Sequence, residues 1–167
     1  IEETDGSTEV DESGSTDIFT VVLDAQPTLD VVLTITSESA TEASVNPSSI
    51  TFTSENWDTP QTVTVTGVDE NVVDGDQTTN ITIAILDTAS DDNFDALADQ
   101  TVSVDTLDDD VAGFTIEETD GSTEVDESGS TDIFTVVLDA EPTSDVVLTI
   151  TSDDTGEATV PASVTFT

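Results

Sequence analysis

The sequence predicts an all-β chain made of immunoglobulin-like antiparallel β-sandwich modules in tandem. Its apolar residues lie in short runs rich in Val, Ile and Thr, and no segment keeps a helical period. Later in the chain the opening text returns: Ile116–Ala140 repeats Ile1–Ala25 letter for letter, at an offset of 115 residues. That offset is a usual size for one small domain.

Six runs are predicted as strands, at residues 17–24, 30–37, 49–53, 61–68, 78–87 and 100–105. The pattern is clearest in Thr62-Val63-Thr64-Val65-Thr66, where strict alternation puts apolar residues on one face and hydroxyls on the other. Pro47 and Pro60 fall between runs, as a residue without an N–H should. Residues 1–3, and their equivalents around 113–118, supply a first strand. Seven short strands at this spacing indicate a sandwich. The repeat places one module at residues 1–110 and the first half of a second at 111–167, and the chain reads as a window on a longer repetitive protein.

Charge narrows the function. The chain has 39 Asp plus Glu and no Lys, Arg or His, so no side-chain salt bridge can form within it. Binding phosphates takes Lys or Arg, which argues against a nucleic-acid partner and against anionic membrane surfaces. No apolar run reaches membrane-spanning length, so no membrane insertion is expected. An enzyme is not expected either, since His, Lys, Cys, Tyr and Arg are all missing. A glycosidase would need two carboxylates across a cleft, and the chain offers one Trp as a sugar platform.

Strand parity gathers the acids. In a seven-strand sandwich the first, third and fifth loops share one end with the close of the last strand. This brings together Asp11 and Glu12; Glu38 and Glu42; Asp69, Glu70, Asp74 and Asp76; and Asp108, Asp109 and Asp110. Two carboxylates 5 Å apart repel by about 3 kcal/mol at an effective dielectric near 20. A convergence of this kind calls for cations. Calcium takes six to eight oxygens in flexible geometry and suits such loops. A salt-adapted surface would instead spread acids over the outward strand faces, which here carry Thr and Ser.

The passage Asp108-Asp109-Asp110-Val111-Ala112-Gly113-Phe114 resembles the junction between Calx-β modules, in which a terminal Asp run leads into the next first strand. Val68 to Asp76 (V-D-E-N-V-V-D-G-D) resembles the acidic loop of the same family, and Glu12 in V-D-E-S-G matches its first-loop acid. The resemblance implies calcium ligation by Glu12, Glu70, Asp74, Asp108, Asp109 and Asp110, with a backbone carbonyl near Val72, and by Glu127 in the second copy. Asn71 and Gly75 stand where the family often carries acids, and the third-loop ligand is left open between Glu38 and Glu42. The expected role is a calcium-stiffened structural repeat of an extracellular stalk, adhesin or matrix filament, whose partners are neighbouring repeats and other copies of the chain. The alternative is a calcium-dependent carbohydrate-binding or adhesive module.

Overall fold

The computed structural model describes residues 1–167. By their contacts these divide into two compact units, residues 1–70 with 74–109, and residues 71–73 with 110–167.

The first unit is an immunoglobulin-like β-sandwich of nine strands. These are β1 (Glu2–Glu3), β2 (Thr8–Asp11), β3 (Thr16–Val21), β4 (Val31–Ser37), β5 (Ala43–Asn46), β6 (Ser49–Phe52), β7 (Gln61–Gly67), β8 (Gln77–Ile85) and β9 (Gln100–Leu107). One sheet runs β1-β3-β7-β5, the other β2-β9-β8-β4-β6. Alternation along each strand sends every second side chain inward. Phe19, Val21, Val63 and Val65 come from the first sheet; Val31, Leu33, Ile35, Phe52, Ile81, Ile83, Val102 and Val104 come from the second. Register matches these sets, with Phe19 opposite Val63 and Ile35 opposite Ile83.

Two strands were not predicted. Thr8–Asp11 and Ala43–Asn46 are short and mostly polar, and each is a strand because a neighbour completes it: β9 pairs with β2, and β7 with β5. The β2–β9 pair is also parallel, which departs from a purely antiparallel sandwich. The opening segment leaves the first sheet after Glu3, turns through residues 4–6 and joins the second sheet at Thr8, so it serves both sheets.

At the end of the sandwich away from the Glu12 turn, Asp91 is buried and ties two loops together. Its Oδ2 accepts from the Thr28 N–H (2.7 Å), the Thr28 hydroxyl (2.7 Å) and the Leu29 N–H (3.0 Å), and its Oδ1 from the Asn93 N–H (3.0 Å). The Thr28 hydroxyl and these backbone donors hold its carboxyl well below the usual carboxylate range. An acid depressed in the folded state stabilises above its unfolded value near 4 and ceases to do so as pH falls through the folded value. Asp91→Ala should lower the melting midpoint at pH 7 by on the order of 5–10 °C, and by progressively less below pH 4. Calorimetry across pH reads both, and a midpoint unchanged at pH 7 would reject this role.

The second unit has four strands, β10 (Phe114–Glu118), β11 (Phe134–Leu138), β12 (Val146–Thr149) and β13 (Ser163–Phe166). They form two separate pairs, β10-β11 and β12-β13.

Candidate metal centre

The Glu12 turn is built by its own letters. Asp11 donates its N–H to the Ser15 hydroxyl (2.7 Å), the Asp11 carboxylate takes the Ser13 hydroxyl, and the Gly14 N–H reaches the Asp11 carbonyl (3.2 Å). Gly14 sits at φ 90°, in the left-handed region where a side chain is disfavoured. The turn is then fixed to the end of β9, where the Glu12 N–H donates to the Leu107 carbonyl (3.1 Å). Gly67 permits the close approach. A Cβ there would overlap the Asp11 carbonyl, and the Gly67 N–H donates to the Ser15 carbonyl (3.1 Å). Gly67→Ala should cost about 1–3 kcal/mol and displace residues 11 and 12. Urea melts and amide exchange at Glu12 test this. A variant as stable as its parent, with Glu12 equally protected, would show that the contact is dispensable.

This placement buries Glu12, which is 1% exposed, and neither of its carboxylate oxygens has a hydrogen-bond partner. Burial pushes its carboxyl up to about 7, and the charges of Asp108, Glu70, Asp74 and Glu42 push the same way. A buried carboxylate with no donor and only like charges around it is costly unless it takes up a proton or a cation.

Around it the loops deliver oxygen donors. Glu12, Glu70 and Asp74 bring carboxylate oxygens within 4.8 Å of one another, while Asp109 closes the first unit and Asp110 opens the second. Asp108 links two of the contributing segments: its Oδ2 accepts from the Gly75 N–H (2.7 Å), and its own N–H donates to Asp76 (3.2 Å). Val72 lies within residues 71–73, the segment that groups with the second unit. Glu127 is exposed and lies outside that set.

Of the two third-loop acids, Glu42 is the one whose charge acts on Glu12. One of its oxygens is buried without a partner, and its carbonyl takes the Val68 N–H (3.0 Å). Glu38 instead accepts from the Asn80 side-chain amide (3.0 Å). The repeat held a usable signal, because Glu42-Ala43 returns as Glu157-Ala158 while Glu38 is replaced by Asp153.

The donors are all carboxylate oxygens carried on several loops, which suits a hard cation with an adaptable shell.

No family model matches the chain, and no curated protein matches it. Among solved structures, it is similar to SSP-19, an MSP-domain protein like family member in Caenorhabditis elegans, at 14% identity and a TM-score of 0.42, covering 65% of this chain and 98% of that one. It is also similar to the class 5 fimbriae chaperone CfaA, at 7% identity and a TM-score of 0.45, covering 96% of this chain and 94% of that one. A third is CBD12 from CALX1.2, at 11% identity and a TM-score of 0.42, covering 87% and 76% respectively. Identities of this size carry nothing about ligands or function.

Proposed function

We propose that the chain is a calcium-binding structural repeat of an extracellular stalk, adhesin or matrix filament. The observation that carries this is Glu12, a buried carboxylate without a hydrogen-bond donor, set among acids from three other segments. Glu12, Glu42, Glu70, Asp74, Asp109 and Asp110 would hold the ions, and Asp108 would fix the loop that carries Asp74. The Calx-β resemblance of residues 68–76 and 108–114 supports the same choice of ion. Millimolar calcium outside cells matches the weaker affinities of extracellular modules.

The mechanical part follows from where the acids stand in the sequence. Val111 and Ala112 alone separate the Asp run from Gly113, and two residues reach at most about 7 Å. Ions held by Asp109 and Asp110 would pin the end of β9 and restrict that linker. Small-angle X-ray scattering of the chain in calcium and in chelator tests the stalk role, with isothermal titration confirming that ions bind. A longer, less flexible particle in calcium is expected. If calcium binds and the maximum dimension and flexibility do not change, the stalk role falls and a ligand-binding module becomes the better reading.

A further inference from the structure

The two strands that end at the Glu12 turn differ from every other pair in the first unit by running parallel. Thr8, Glu9, Val10 and Asp11 of β2 lie opposite Val104, Asp105, Thr106 and Leu107 of β9. The Glu12 N–H extends this ladder to the Leu107 carbonyl (3.1 Å). The remaining pairs of that unit are antiparallel. Direction matters once the chain is pulled. Tension along the polypeptide enters the pair at Thr8, where β2 begins, and leaves it at Leu107, where β9 ends. In a parallel pair those points lie at opposite ends, so the strands are driven past one another along their length. The evenly spaced bonds of a parallel ladder then share the force and must fail together. A pair peeled from one end gives up its bonds singly.

Little ahead of β2 can take this force. Strand β1 has two residues, opposite Thr20 and Phe19, and residues 4–7 after it are exposed and outside any strand. Tension therefore passes to β2, whose grip is closed to water. Thr8, Val10 and Glu12 are 1–2% exposed, beside the fully buried Val104 and Thr106, and the Asp11 carbonyl lies against Gly67 of β7. Bonds shielded in this way are not exchanged one by one for bonds to solvent.

The acids stand at the exit end of the same pair. Glu12 follows β2 directly, and Asp108 follows β9. The Gly75 N–H ties the loop of Glu70 and Asp74 to the Asp108 carboxylate (2.7 Å), and Glu12 brings its own oxygens to those of Glu70 and Asp74.

We propose that the parallel β2–β9 pair is a clamp that holds the first unit against tension along the chain, fastened at its exit end by the ion that Glu12, Glu70 and Asp74 would hold. The clamp rests on the strand pairing alone; the fastening rests on the calcium reading above.

The chain has no cysteine, so two introduced cysteines place force handles uniquely. Ile1→Cys with Val111→Cys pulls β2 and β9 along their length. Ile1→Cys with Asp99→Cys puts both handles at the entry end, where Ile1, Ala98 and Gln100 line one cavity, and peels β2 from Thr8 onward. Held at one constant force in chelator, the full chain should survive on the order of 100-fold longer between the first pair of handles than between the second. Equal lifetimes, or a longer life under peeling, overturn the clamp. In 10 mM calcium chloride the first geometry should last roughly 10–100-fold longer still, given sites of extracellular affinity. The same handles on Glu12→Gln should show little of that increase. Calcium that binds by isothermal titration yet leaves this lifetime unchanged overturns the fastening. A chain that binds no calcium would remove the calcium reading, and the comparison in chelator would still decide the clamp.

Discussion

Glu12→Gln should melt at a higher temperature than the parent chain in chelator at pH 7.5, and at a lower one in 10 mM calcium chloride. The reversal follows from the two ways a buried carboxylate can be relieved. Without a cation, ionised Glu12 faces burial and the charges of Asp108, Glu70, Asp74 and Glu42, and a neutral amide of similar shape removes that cost. An ion selective for the folded state stabilises by mass action. With a dissociation constant of 10⁻⁴–10⁻³ M, usual for extracellular modules, 10 mM calcium gives roughly 1–3 kcal/mol per site, or about 5–15 °C for a domain of this size. The variant should lose most of that gain. Magnesium should stabilise the parent less, because it keeps its waters and prefers a strict octahedron.

The same residue sets a pH dependence in chelator. Its folded value, about 7, lies above the ordinary 4.5. Stability from the extra proton is therefore fully present below 4.5 and lost as pH rises through 7. The parent should gain stability between pH 7.5 and 5, and Glu12→Gln should flatten that rise. Calorimetric melts in matched calcium, magnesium and sodium chlorides and in chelator read every arm. Equal gains in calcium and magnesium, or a variant that tracks its parent in all four, would return the acids to a diffuse surface role.

Phe52→Ala should cost the first unit about 3–5 kcal/mol, a large share of the 5–15 kcal/mol typical of a domain. Phe52 is fully buried and sits opposite Val31, which is also fully buried. Removing the ring leaves a cavity between the sheets that rigid strands cannot close. Phe166 is its repeat equivalent but only half-buried, so Phe166→Ala should leave the first unit's transition where it was. Trp57 is the single tryptophan and lies in the first unit, where its carbonyl takes the Leu23 N–H (3.1 Å). Its fluorescence during urea unfolding therefore reports that unit alone. A loss below about 1 kcal/mol for Phe52→Ala would mean that the core is loosely packed at this point.

Much of the sandwich was legible in the sequence because half-buried strands announce themselves by alternation. Runs such as Thr62–Thr66 give period 2 directly, and β3, β4, β6, β7, β8 and β9 stand where such runs occur. Polar strands do not announce themselves. Thr8–Asp11 and Ala43–Asn46 have too few apolar letters to reveal a period, and their partners are distant in sequence. In the acidic site, parity alone brought the right loops to one end. Parity could not choose between Glu38 and Glu42, since that depended on Asn80 engaging Glu38.

The repeat separates local from tertiary causes, because identical letters occur in two surroundings. The turn Asp11–Ser15 and its copy Asp126–Ser130 take the same form. In both, the Asp N–H bonds the second Ser hydroxyl at 2.7 Å, and the glycine sits near φ 90°. Those bonds span at most four residues, so the sequence determined the turn by itself. What the turn presents was decided elsewhere. Glu12 is buried and surrounded by acids, while Glu127 is exposed. Strand Thr8–Asp11 has no counterpart at Thr123–Asp126. Turn chemistry is closed within a few residues, whereas a strand edge and a buried carboxylate exist only when distant segments supply the other half of the contact.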